Sequence, residues 1–323
     1  GAGKIAVLRA LPGSASRLLA DSGATVVTSP LDRPLNRDEL HVMVAGASGI
    51  VATLTDHIDG SVVAAAGGTL QVVANVAAGY DNIDVSALNA AGVTVTNTPD
   101  VLTAATADFT LALILAATRR LIEADQLVRS GVLWEWSPSF LVGNGLEGKR
   151  LGIVGLGNIG QAVAHRARAF GMEIVHSSRR HQREPGSKLV SFEELLQTSD
   201  VITLHCPLTS ATRHLIGEQA IAQMKAGVCL INTGRGQLID EDALTRALEE
   251  GRIGSAGLDV FENEPRIDAR LRALPNVVLA PHIGSATSEA RSAMADLAAK
   301  NVMAVLRGEE PLTPVRNDAQ GHR

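Results

Sequence analysis

Six residues, Gly155-Leu156-Gly157-Asn158-Ile159-Gly160, constrain this chain more than any other stretch. They follow the apolar run Leu151-Gly152-Ile153-Val154 and open a helix-patterned segment from Gln161 to Phe170. Set between a strand and a helix, G-x-G-x-x-G is a turn built for a pyrophosphate. The first glycine makes the tight turn, the second lets backbone approach the phosphates, and the third lets helix and strand pack closely. The helix N-terminus adds unpaired N–H groups and the positive end of its dipole. A dinucleotide site on a parallel α/β sheet is the expectation.

About half the chain precedes that motif and has strand patterns of its own, at Lys4 to Leu8, Ala24 to Thr28, Leu70 to Ala74 and Val93 to Thr96. A length of 323 residues suits roughly two domains. Beyond the glycine loop, strands are expected at Glu173 to His176, Asp200 to Leu204, Val228 to Asn232, Gly254 to Leu258 and Asn276 to Ala280. Ser191 with Glu194 reads as a helix cap, as does Asp240, and Gly251 sits where a helix-ending glycine belongs. Ala286 to Leu306 reads as one long helix with Met294, Leu297, Ala298, Val302 and Val305 facing inward, ended by Gly308. The tail from Asn317 to Arg323 is expected to be mobile.

Composition excludes several classes. The net charge of −5 is spread without a basic face, so no nucleic-acid partner is expected. The longest apolar run, Leu111 to Ala117, is too short to span a membrane. No charged-then-apolar leader opens the chain, and a cytoplasmic location is predicted. Cys206 and Cys229 lie in apolar, strand-like runs and read as core thiols. Without C-x-x-C or H-x-x-x-H spacing, no metal site is predicted.

The residue 22 positions after Gly155 is where a carboxylate would accept the adenosine ribose hydroxyls. Here it is Ser177, followed by Ser178, Arg179 and Arg180, and no acid appears until Glu184. Arginines pair with a 2′-phosphate through charge-assisted hydrogen bonds, so NADP(H) is predicted in preference to NAD(H), without excluding NAD(H). Three polar clusters follow predicted strands directly: Asn232-Thr233-Gly234-Arg235-Gly236, Asp259 to Pro265, and Ala280-Pro281-His282-Ile283-Gly284. Loops at strand carboxyl ends line the ligand crevice of such sheets. An arginine between glycines suits a carboxylate, and a histidine beside a carboxylate suits proton transfer.

With these clusters in view, the chain resembles the D-isomer-specific 2-hydroxyacid dehydrogenases along nearly its whole length. Val76 to Asp84 resembles the family's substrate loop, and Thr98-Pro99-Asp100-Val101-Leu102-Thr103 its crossover. Leu208-Thr209 with Thr212, Gly257 to Phe261 and Pro281 to Thr287 extend the match. The wording of Asn75 to Asp84 and His282 to Thr287 is most similar to glyoxylate/hydroxypyruvate reductases.

The resemblance implies two Rossmann-like α/β domains separated by a cleft. One is a discontinuous, flavodoxin-like substrate domain of residues 1–98 and 286–323. The other is a dinucleotide domain of residues 99–285, with hinge crossings near Pro99 and Ser285. It implies Arg235 as the carboxylate anchor, His282 as general acid in reduction, and Glu264 as the partner that fixes the His282 tautomer and favours its charged form. Ala78 and Gly79 N–H groups would receive the carboxylate beside Leu54. Asp259 would hold the nicotinamide carboxamide, and cofactor contact would extend to Cys206, Pro207, Thr212, Thr233, Gly234 and Gly284.

Trp136 would reach a neighbouring subunit. Leu111 to Ala117 with the arm to Asn144 reads as too exposed for one domain, so a homodimer is expected. Val51 to Thr55, Ala77 and Trp136 are candidate pocket residues without charge, which favours a small 2-keto or 2-hydroxy acid. A dinucleotide-binding corepressor-like scaffold and a related dehydrogenase for another D-hydroxy acid or phosphite are the alternatives. A formate-type enzyme is disfavoured, since that branch resembles this pattern with Gln in place of Glu264.

Overall fold

A computed structural model of the chain describes residues 3–179 and 185–315. Arg180, Glu184 and the tail from Asn317 lie outside the described residues. The chain divides into two compact units, residues 1–102 with 286–323, and residues 103–285.

The first unit holds β1 (Lys4–Val7), β2 (Thr25–Thr28), β3 (Ala47–Thr53), β4 (Val72–Val76) and β5 (Thr94–Thr96). All pairings are parallel, in the order β2-β1-β3-β4-β5. This is the 2-1-3-4-5 order of flavodoxin-like sheets. Buried side chains cover both faces, with Ile50, Val73 and Leu88 in one layer and Val51, Val72 and Leu19 in the other.

β3 is an addition to the expected strands, because Ala47-Ser48-Gly49 is poor in the branched residues that mark them. Its small residues have a packing reason. A Cβ on Gly49 would sit 3.0 Å from Val302, so the helix Ser288–Leu306 lies close over the sheet there. That helix starts two residues later than expected, capped by the Thr287 hydroxyl accepting from Ala290 N–H. Its inward stripe is also corrected. Ala295, Ala299 and Asn301 are buried with Met294, Ala298 and Val302, whereas Leu297 and Val305 are only half-buried.

The second unit holds β6 (Arg150–Val154), β7 (Glu173–Ser177), β8 (Ser187–Leu189), β9 (Val201–Leu204), β10 (Val228–Asn232), β11 (Ile253–Leu258) and β12 (Val277–Leu279). They form one parallel sheet, ordered β12-β11-β10-β9-β6-β7-β8. The direction of winding reverses between β6 and β9, and crevices for ligands open at such switch points. β9 and β10 are buried at every position, as strands covered by helices on both faces must be.

The expectation that Leu111 to Ala117 is exposed is overturned. The helix Thr103–Thr118 packs against β10, β11 and the helix Asn158–Ala169, burying Leu111, Leu113, Ile114, Ala116 and Ala117. A helix apolar all round is a core helix, and Gly257 lets it approach β11, since a Cβ there would lie 3.0 Å from Leu113. Among the described residues, no helix is long and apolar enough to cross a membrane.

Candidate active site

The glycine loop sits at the β6–β9 switch point, and its three glycines differ in their surroundings. Gly155 has φ +91°, and a Cβ there would lie 2.6 Å from the Cys206 backbone nitrogen. A Cβ on Gly160 would lie 2.4 Å from the Gly155 carbonyl oxygen, against which the helix Asn158–Ala169 is pressed. Gly157 has nothing within 4 Å of that position, and as N-cap of the helix it offers no side-chain cap. The first and third glycines are thus demanded by the protein itself. The second leaves exposed backbone at a helix N-terminus where an anion can approach, so the loop fits a dinucleotide pyrophosphate.

Around it lie the other expected cofactor residues. Leu156 is buried, Asn158 exposed and Ile159 half-buried. Ser177 ends β7, and its carbonyl accepts from Gly155 N–H at 2.9 Å. Ser178 is half-buried and Arg179 exposed. Cys206 is not in a strand, as expected, but in the loop after β9, whereas Cys229 is buried within β10. Burial pushes the Cys206 thiol up to about 11, with the Arg179 charge opposing that rise. The Thr212 hydroxyl donates to the Pro207 carbonyl at 2.7 Å and accepts from Thr209 N–H at 2.8 Å, closing the loop beyond Cys206.

Three loops after β10, β11 and β12 are brought together. A Cβ on Gly236 would lie 1.9 Å from the Phe261 carbonyl carbon, so the arginine loop and the 259–264 loop touch backbone to backbone. Buried Asn232 shapes the former, its amide donating to the Arg235 carbonyl at 2.9 Å and accepting from Gly234 N–H at 3.0 Å. The Arg235 guanidinium donates to the Gly234 carbonyl at 3.0 Å. Thr233 is buried, its hydroxyl 3.0 Å from that of Thr110 on the core helix. Sequence reasoning places Asn232 in a polar cluster but gives it no role of its own. Its place at the last position of a buried strand, three residues before an arginine, is the signal that marks it.

Asp259 is fully buried and holds the third loop. Its two carboxylate oxygens accept from Ile283 N–H at 2.7 Å and Gly284 N–H at 2.8 Å, and its carbonyl accepts from His282 N–H at 2.8 Å. Burial raises the Asp259 carboxyl above its ordinary range against those two N–H donors. His282 is thereby fixed at φ +57°, a conformation a non-glycine residue keeps only where its surroundings impose it. Its Nδ1 lies 2.9 Å from Glu264 Oε2 and donates to that carboxylate, whose Oε1 accepts from Phe261 N–H at 3.0 Å. Burial alone would raise the Glu264 carboxyl. The His282 hydrogen bond and charge, the Phe261 N–H and the Arg235 charge together take it below its ordinary value. Nε2 of His282 has no partner among the described residues.

In the first unit, Leu54, Ala78 and Gly79 are half-buried at strand carboxyl ends. Val51, Ala52 and Ala77 are buried. Trp136 is 76% exposed, and Trp134 stacks on Phe140 with ring centroids 5.8 Å apart.

Residues 111–284 match the NAD-binding domain of the D-isomer specific 2-hydroxyacid dehydrogenases. The chain belongs to that family. This dehydrogenase is 50% identical over 284 residues to a glyoxylate reductase of Thermococcus litoralis, with 85% of each chain covered. The crystal structure of the TT0316 protein from Thermus thermophilus superposes with a TM-score of 0.91 at 44% identity, covering 97% of this chain and all of that one. An NADPH-dependent glyoxylate/hydroxypyruvate reductase from Sinorhizobium meliloti, solved with NADP and malonate, gives a TM-score of 0.84 at 34% identity, over 98% and 97% of the two chains. This dehydrogenase is thus an oxidoreductase with a nicotinamide cofactor.

Proposed function

We propose that this dehydrogenase reduces small 2-keto acids, glyoxylate and hydroxypyruvate, to D-2-hydroxy acids, with NADPH preferred. The observation that carries the proposal is the His282–Glu264 pair at 2.9 Å, with the Arg235 charge acting on the same carboxylate. The glyoxylate reductase relatives support the substrate class, and the S. meliloti enzyme's NADP complex supports the cofactor.

A bound nicotinamide supplies the hydride for the keto carbon. His282 Nε2 gives its proton to the keto oxygen as negative charge gathers there, and Glu264 opposes the positive charge that the ring carries before transfer. Arg235 binds the carboxylate and polarises the carbonyl, which both positions the substrate and stabilises the transition state. Ala78 and Gly79 N–H groups receive the carboxylate, with Leu54 beside them. Gly155 to Gly160 hold the pyrophosphate. Ser177, Ser178, Arg179 and Arg180 take the 2′-phosphate, and Cys206, Pro207, Thr212, Thr233, Gly234 and Gly284 line the rest. A carboxamide on Asp259 would use lone pairs left beside its two N–H donors.

Residues 1–98 with 286–323 act as the substrate domain and 99–285 as the cofactor domain. The apolar arm that includes Leu133, 97% exposed, and Trp136 supports a homodimer in which Trp136 reaches the neighbouring subunit. The enzyme works in the cytoplasm.

A panel of 2-keto acids followed at the NADPH absorbance tests the reading. The expected result is turnover of glyoxylate and hydroxypyruvate, with kcat falling about 10²–10⁴-fold in His282→Ala, the weight of a general acid. Full activity in that variant would discard the assignment.

A further inference from the structure

Peptide planarity, applied to the carboxyl end of β4, shows how backbone N–H groups are held ready there. In a trans peptide the C=O of one residue and the N–H of the next point in opposite directions. Three successive carbonyls of the loop are each tied down. Ala77 O accepts from Thr98 N–H at 2.8 Å, Ala78 O accepts from the Asn97 side-chain amide at 2.8 Å, and Gly79 O accepts from the Asn75 side-chain amide at 3.0 Å. The N–H groups of Ala78, Gly79 and Tyr80 are therefore turned away from those anchors. None of the three has an acceptor among the described residues.

The anchors are themselves rigid. Asn75 is fully buried and exchanges amide hydrogen bonds with Asn82 at 3.0 and 3.3 Å. Asn82 also donates to the carbonyls of Thr53 at 3.0 Å and Asp56 at 2.8 Å, so the loop is tied to the end of β3. Asn97 is fixed at its backbone, its N–H donating to Thr313 O at 3.3 Å and its carbonyl accepting from the Thr313 hydroxyl at 2.6 Å.

We propose that Asn75 and Asn97 are positioning residues that convert residues 78–80 into a preformed carboxylate receptor with three donors, the N–H of Tyr80 being the third. The proposal rests on the reading that this loop receives the substrate carboxylate. Asn97 aims the Gly79 N–H and Asn75 aims the Tyr80 N–H, each through the peptide whose carbonyl it holds. A carboxylate carries the same charge in the ground state and the transition state. What the receptor contributes is therefore uniform binding, seen in KM and not in kcat.

Asn97 is only half-buried, so its variants are the primary test. Asn97→Asp keeps the shape but sets an acceptor against the Ala78 carbonyl, while Asn97→Ala leaves that carbonyl unpaired. The expected result is a KM for glyoxylate raised roughly tenfold to hundredfold, the usual weight of an unpaired polar group, with Asp worse than Ala. kcat should stay within about threefold, and KM for NADPH should not move. Asn75→Asp should reproduce the pattern if its melting temperature shows that it folds.

Affinity for oxamate, a non-reducible keto-acid analogue, should weaken in parallel when measured by calorimetry. A lowered melting temperature with unchanged KM and oxamate affinity would make the asparagines structural only and overturn the proposal. A wild-type enzyme that turns over no 2-keto acid would instead remove the functional reading, and this proposal with it.

Discussion

The two sheets of this dehydrogenase each offer backbone N–H groups at strand carboxyl ends, and they prepare them by opposite means. At the β6 loop, side chains are left out: Gly155 and Gly160 are pressed against backbone, and Gly157 leaves open space. At the β4 loop, side chains are put in: amides of Asn75 and Asn97 hold the carbonyls so that the following N–H groups face away. Omission needs a fixed spacing, because each glycine answers to one contact. Insertion needs only a donor within reach, from any element that passes by. The first device should therefore fail abruptly under substitution, and the second by degrees.

Gly236→Ala is the most severe way to break that comparison. Its Cβ would fall on the Phe261 peptide, where no side chain can swing aside. The loops carrying Arg235 and Glu264 would be forced apart, with a stability cost of about 3 kcal/mol or more. Activity should be lost and the melting temperature should drop. Near wild-type activity in this variant would mean that the loops tolerate separation.

A matched pair then sharpens the glycine half of the argument. Gly155→Ala meets both a positive φ and backbone 2.6 Å away, so stability should fall by about 2–4 kcal/mol. Gly157→Ala meets nothing, so its melting temperature should stay close to wild type while KM for the cofactor rises about tenfold or more. Thermal melts and cofactor titrations of both variants check this. Equal melting temperatures would show that the two glycines do not have separate tasks.

The same contrast explains what can be read in the sequence. Glycine spacing, the strand-helix alternation and the three loops after β10, β11 and β12 follow from local pattern, and the structure brings those loops together within one unit. The asparagine anchors are invisible there because Asn75, Asn82 and Asn97 share no local pattern until the sheet assembles them. β3 escapes for a related reason, since its small residues answer to a helix near the other end of the chain. The run from Leu111 to Ala117 misleads because its apolar surface has two partners, a sheet and a helix, and periodicity reveals only one face at a time.

Cofactor choice should respond more gently. Arg179 is exposed beyond the end of β7, and one guanidinium among several polar groups cannot alone decide binding of the proposed 2′-phosphate. Arg179→Ala should raise KM for NADPH about tenfold and leave KM for NADH unchanged, the weight of one charge-assisted hydrogen bond. An equal rise for both cofactors would remove the phosphate from its role.

Acid should separate the two loops with the smallest effect of all. The His205 backbone lies against Gly155, and burial pushes its imidazole down to about 4, with the Thr203 hydroxyl 2.8 Å from Nε2. A histidine whose folded value lies below its unfolded value of about 6.5 binds protons more readily when unfolded. Its contribution to stability is complete above pH 6.5 and is lost progressively as pH falls towards 4. The β4 loop is anchored by amides, which do not titrate. Melting temperature followed from about pH 7 to 4 should therefore decline more steeply in the wild type than in His205→Asn. Cofactor affinity should weaken in that window with the same difference between the two proteins, because the glycine loop packs against the backbone of this residue. Identical pH profiles would show that the ground beneath the loop carries no protonation cost, and that packing alone holds the β6 edge in place.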